Sequence, residues 1–98
     1  MATFIMLMNF TDEGIKGLGK ESPKRKAIFE KLISDFGGEI KSSYLTMGSY
    51  DRIHVLDFSD DKTASTFALS LGTHGIARTN TLRAFGEDEI GKIIEGIK

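Results

Sequence analysis

One stretch, Thr3-Phe4-Ile5-Met6-Leu7-Met8-Asn9-Phe10, limits what this chain can fold into more than any other. A strand with one wet face alternates apolar and polar side chains. Here Phe4, Met6, Met8 and Phe10 on one side are answered by Ile5 and Leu7 on the other. A strand over residues 3–10 therefore needs cover on both faces. The run is far too short to cross a bilayer, which takes ~20 apolar residues. It also lacks the basic start of a signal peptide, so the reading is a cytoplasmic protein with no membrane partner.

The rest of the chain supplies that cover in a recognisable order. Thr11-Asp12-Glu13-Gly14 reads as a cap or turn, with a short helical segment through Leu18. Ser22 caps the main first helix, with Pro23 at its first position, where a missing N–H does no harm. Ile28, Phe29, Leu32, Ile33 and Phe36 form its apolar stripe, and Gly37-Gly38 ends it. Strands over 39–47 and 50–58 flank Gly48-Ser49, a hairpin signal. Ser59-Asp60-Asp61 starts a second helix with the stripe Ala64, Phe67, Ala68 and Leu71, closed by Gly72. A fourth strand covers 76–85. A last helix has Glu87-Asp88-Glu89 at its start and Ile90, Ile93, Ile94 and Ile97 at helical spacing.

This order, β-α-β-β-α-β-α, is that of an α+β, ferredoxin-like βαββαβ sandwich with a C-terminal helix, in one domain over residues 1–98. Right-handed crossovers put both main helices on one sheet face. The other face then stays bare beside a doubly apolar first strand. A second copy packed sheet to sheet, a dimeric α/β barrel, covers it.

Several function classes drop out. The 13 basic and 14 acidic residues, with a formal net charge of -1, leave no electrostatic footprint for nucleic acid. Without cysteine there are no disulfides, thiolate metal sites or thiol nucleophiles. The two histidines, His54 and His74, are not a short-spaced pair, so no metal site is expected, and no cofactor is called for. Gly14-Ile15-Lys16-Gly17-Leu18-Gly19-Lys20 imitates a phosphate-binding loop up to its lysine, but Glu21 stands where a hydroxyl should hold magnesium. A glycine-rich turn into a helix is the better reading. Lys16, Lys20, Lys24, Arg25 and Lys26 read as a solvated helix face, with an anionic ligand or an acidic partner as the alternative. Asp57, Asp60 and Asp61 read as acids for the helix start. Arg78, Thr79 and Thr81 read as cross-strand polar groups.

Three separated segments resemble one known family. Tyr44-Leu45-Thr46-Met47-Gly48-Ser49-Tyr50-Asp51 is similar to the signature of the GYD domain family, with a serine between glycine and tyrosine. Thr11 to Ile15 with Ser22-Pro23-Lys24-Arg25, and the strand Arg78 to Phe85, are similar to its first loop with its helix start and to its last strand. The resemblance implies a ferredoxin-like fold in a dimeric α/β barrel. It implies no particular reaction, and no catalytic residue is carried over.

The site candidates come from the middle strands. Alternation puts Tyr50, Arg52, His54 and Leu56 on one side of the third strand. Tyr44 joins them or leaves them according to the hairpin register. A two-residue loop pairs Met47 with Tyr50 and sets Tyr44 against Ile53. A three-residue loop pairs Met47 with Asp51 and sets Tyr44 against His54. The second is preferred, because it lets Asp51 bond the loop backbone. Tyr44, Arg52 and His54 are then the ligand-binding candidates of a homodimeric small-molecule-binding module. The alternatives are a cofactor-free oxygenase or isomerase with His54 as acid/base, and a structural subunit of a larger assembly.

Overall fold

The computed structural model describes every residue, Met1–Lys98. The elements are β1 (Ala2–Phe10), α1 (Asp12–Lys16), α2 (Leu18–Asp35), β2 (Glu39–Leu45), β3 (Arg52–Phe58), α3 (Asp61–Gly72), β4 (Ala77–Ala84) and α4 (Glu87–Glu95). The four strands form one antiparallel sheet in the order β2-β3-β1-β4. This is the ferredoxin-like arrangement expected from the element order. The apolar first strand holds a central place between β3 and β4, where both of its edges are hydrogen-bonded.

The core lies between the sheet and α2 with α3. Phe4, Met6 and Met8 of β1 and Leu56 and Phe58 of β3 are buried there. Ile33 of α2 and Ala64 and Phe67 of α3 meet them, with Phe29, Leu32, Phe36, Ala68 and Leu71 packed around. Phe67 is the hub, its ring 5.8 Å from Phe29, 6.2 Å from Phe36 and 5.1 Å from Phe58. The opposite face carries Ile5 and Leu7 of β1 and Ile53 and Val55 of β3, all only half-buried. No helix of the chain lies over them. Ile93, Ile94 and Ile97 at the C-terminus are also exposed. No helix is long and apolar enough to cross a membrane.

The second helix starts earlier than its proline suggests. It begins at Leu18, and Glu21 N donates to Gly17 O at 2.8 Å. Pro23 therefore sits inside the helix, and Ser22 bonds the Leu18 carbonyl instead of capping. The missing Pro23 N–H would have donated to Gly19 O, and Gly19 is exposed, so water can donate to that carbonyl in its place. The helix ends as expected. Gly37 has φ +68, Gly38 N bonds Ile33 O and Gly37 N bonds Ser34 O, the two bonds of a Schellman cap.

The hairpin register corrects the preferred reading. Thr46 N donates to Asp51 O at 2.8 Å, which leaves a loop over residues 47–50 with Gly48 at φ +111. Tyr44 pairs with Ile53 and Ser43 with His54. Asp51 does not close the loop through its carboxylate. Its Oδ2 accepts from Phe10 N at 2.9 Å, and its own N–H donates to Met8 O. The loop is instead held by Thr46 Oγ1 donating to Tyr50 O at 2.6 Å. Of the three acids, Asp60 is the cap of α3, accepting from Thr63 N at 2.8 Å, which lowers its pKa. Asp57 faces the uncovered side of the sheet and accepts from Thr3 Oγ1 at 2.7 Å.

Candidate functional site

A cleft of about 700 Å³ opens where the N-terminal half of α2 passes over the sheet. Its sheet side is made by Met8, Phe10, Ser43, Arg52, His54 and Ala77. Leu18, Ser22, Arg25, Ile28 and Phe29 of α2 form one wall, and Leu71, His74 and Ile76 form the other. The walls are apolar because these positions continue the stripes of α2 and α3 past the end of the packed core.

His54 is the buried polar group of this region, with 4% of its surface exposed. Its place follows from alternation: it sits two residues from Leu56 on the helix-facing side of β3, between Met6 of β1 and Ser43 of β2. Ser43 Oγ lies 2.7 Å from Nδ1, and the Phe29 ring stacks on the imidazole at 4.4 Å with a tilt of 32°. Burial, helped by the charge of Arg52, lowers the His54 pKa from 6.5 to about 4. The ring is therefore neutral at neutral pH. If Ser43 donates to Nδ1, then Nε2 carries the ring hydrogen; if Nδ1 donates, Nε2 is an acceptor. The second nitrogen can serve either kind of ligand group.

Arg52 lies on the same face of β3, two residues away. Its Nε donates to Tyr44 O at 3.1 Å, and it forms no ion pair. Tyr44 contributes only that carbonyl. Its ring is on the uncovered face and 57% exposed, so the structure unites Arg52 and His54 and separates Tyr44 from both. The grouping failed by one residue of register.

Other residues of the cleft escaped the sequence reading. Ser43 would have been found from the other register, which sets it opposite His54. Arg25 belongs to a run read as solvated, yet Nη1 donates to Gly14 O at 2.6 Å and the side chain is half-buried. The glycines explain how. A Cβ on Gly17 would lie 2.6 Å from Arg25 Nη2, and one on Gly14 would lie 2.0 Å from Ile76 O. Gly14 thus lets α1 dock against the start of β4, and Gly17 leaves room for the guanidinium. The loop that imitates a phosphate site is a backbone joint. No group of three or more His, Asp or Glu converges to hold a metal ion.

The sequence model of the GYD domain matches residues 4–94. The chain belongs to the GYD domain family. A relative from Thermus thermophilus, named glutamine synthetase and cystathionine beta-lyase binding protein, is 34% identical over 84 residues, 86% of this chain and 88% of that one. Among solved structures, an FFRP protein has TM-score 0.56 and 26% identity, covering 87% of this chain and 100% of its own. The hypothetical protein PHS023 from Pyrococcus horikoshii has TM-score 0.54 and 24% identity, covering 91% of this chain and 95% of its own. The second of these likenesses is one of fold. The GYD assignment agrees with the resemblance carried by the hairpin, the first loop and the last strand.

Proposed function

We propose that this GYD protein is a homodimeric module that binds a small organic molecule in the cleft beneath α2. The observation that carries the reading is the open cleft itself. Its volume, about 700 Å³, falls in the range of small-molecule sites, roughly 300–1,000 Å³, and apolar walls surround a few polar groups. A purely structural subunit would fill that space with side chains. An enzyme is the weaker reading. The Ser43–His54 pair has the right reach for proton transfer, but a histidine with a pKa of about 4 is a poor base at neutral pH. No carboxylate orients its ring.

The dimer is supported by area. The chain exposes 6712 Å², where a folded monomer of 10.8 kDa exposes about 5,500 Å². The excess is comparable to the ~800 Å² each partner gives to a standard interface. The radius of gyration, 14.8 Å, likewise exceeds the ~12.5 Å of a compact chain of this length. Light scattering should give a mass of two chains, and Leu7→Lys should give a monomer, since it sets a charge in the middle of the uncovered face. A wild-type monomer at micromolar concentration would end the dimer reading. Met6 and Met8 are unsuitable for this test, because both point into the core.

The ligand reading is tested by native mass spectrometry of protein purified without additives. A small-molecule adduct should be present in the wild type and absent from Ser43→Phe, whose ring fills the cleft. An adduct kept by that variant would place the ligand elsewhere. The name of the Thermus relative favours a second reading, docking onto other enzymes. Co-elution with glutamine synthetase, undiminished by Ser43→Phe, would support that reading over the first.

A further inference from the structure

We infer that the molecule held in this cleft is an apolar-bodied organic anion, a carboxylic acid in its ionised form, met by the cationic side chains of Arg25, Lys26 and Arg52. The inference rests on the cleft being a binding site and adds the class of its ligand. Those three cations line the cleft against one acid, Glu30, in a chain whose formal net charge is -1. The local excess is therefore opposite in sign to the whole.

None of the three has a carboxylate partner. The ion pairs of the molecule belong to Lys31, Lys41 and Arg83. Arg25 and Arg52 each give one hydrogen bond to a backbone carbonyl, Gly14 O at 2.6 Å and Tyr44 O at 3.1 Å. A guanidinium has five donors, so most of each fork stays unused. Both side chains are half-buried, where a charge without a counter-charge is disfavoured. A carboxylate fits such a fork with two parallel hydrogen bonds.

The remaining groups fit the same ligand. Phe10, Phe29 and Leu71 offer a dry surface to an aromatic or branched body. His54, neutral in its buried place, adds no charge and can bond the ligand through Nε2. A cationic ligand would enter among three like charges, and a neutral one would leave both guanidinium groups without a counter-charge.

The test is an NMR titration with three probes of one shape: 4-phenylbutyrate, 4-phenylbutanamide and 4-phenylbutylamine. The acid should shift the Phe29 and His54 resonances and bind at least about tenfold tighter than the amide or the amine, as loss of one charge-assisted bond implies. It should also raise the His54 pKa, which the amide should leave in place. Arg52→Gln should weaken the acid about tenfold and leave the amide unchanged, with Lys26→Gln, at an exposed helix position, moving the same way. Equal binding of acid and amide, or preference for the amine, would overturn the anion while leaving the cleft a binding site. No cleft shift with any of the three at millimolar concentration would overturn both.

Discussion

Half-buried arginines stand at both ends of the sheet, and the two ends treat them differently. Where β4 finishes, Arg83 is enclosed by the chain's own groups. It lies 3.9 Å from Asp61 and 3.6 Å from Glu89, and its guanidinium sits 4.4 Å from the Phe85 ring centre. Where β3 begins, Arg52 has a carbonyl and no acid, and Arg25 of α2, across the cleft, is the same. The first end is a latch that ties α3 and α4 to the sheet. The second keeps its charge available. Groups whose partners are missing from the fold itself mark where the fold is organised around something else.

The largest test of this contrast breaks the open end. Gly14→Val places a branched side chain against Ile76 O, where even a Cβ would come within 2.0 Å. We expect α1 to lift from β4, Arg25 to lose its carbonyl, and stability to fall by about 3 kcal/mol in denaturant titration. Gly19→Ala, with nothing within 4 Å of its new carbon, should be neutral or slightly stabilising. A tolerated Gly14→Val would mean that the joint is not what holds this end.

How much of this was legible follows from range. The helix stripes, the doubly apolar first strand and the face of His54 rest on periods of 3.6 and 2, which local residues set. The start of α2 and the hairpin register do not. Pro23 suggests a start because it tolerates one, yet Gly17 caps the helix where α1 ends. Turn chemistry points Asp51 at its own loop, but its carboxylate accepts from Phe10 N, 41 residues earlier in the chain. That single long-range bond belongs to the register that removes Tyr44 from the site and brings in Ser43. Arg25 was hidden for the same reason, since its partner is the carbonyl of Gly14, in the preceding helix.

A second effect, spread over a pH window, separates the ends. The folded pKa of His54, about 4, lies below the 6.5 of the unfolded chain. Protons are therefore taken up by the unfolded state first. The stability that depends on the neutral ring is complete above pH 6.5 and is lost as pH falls toward 4. The slope reaches at most about 1.4 kcal/mol per pH unit. His54→Phe should lack this component, so the difference between wild-type and variant unfolding free energies should change across that window and flatten outside it. A constant difference would show that the imidazole is not desolvated in the fold.

The smallest effect is the most direct comparison of the two arginines. Arg83→Met gives up two long, partly exposed ion pairs, each worth about 1 kcal/mol or less, hydrogen bonds to the Thr3 and Ala84 carbonyls, and a ring contact worth about as much as one ion pair. Its methionine keeps some of the apolar cover over Phe4 and Phe85, so the expected loss is about 1–2 kcal/mol in all. Arg52→Met removes a guanidinium with one carbonyl bond and no acid, and a methionine suits the apolar cleft wall. Its stability should stay within about 0.5 kcal/mol of wild type. Removing the charge should also let the His54 pKa rise, though not to 6.5, because burial is the larger cause of its depression. Equal losses at the two positions would mean that Arg52 stabilises the fold as Arg83 does, and the open end would then be a second latch. A neutral Arg52→Met that nonetheless weakens carboxylate binding separates the two roles, because a residue kept for the fold cannot be removed without loss to the fold.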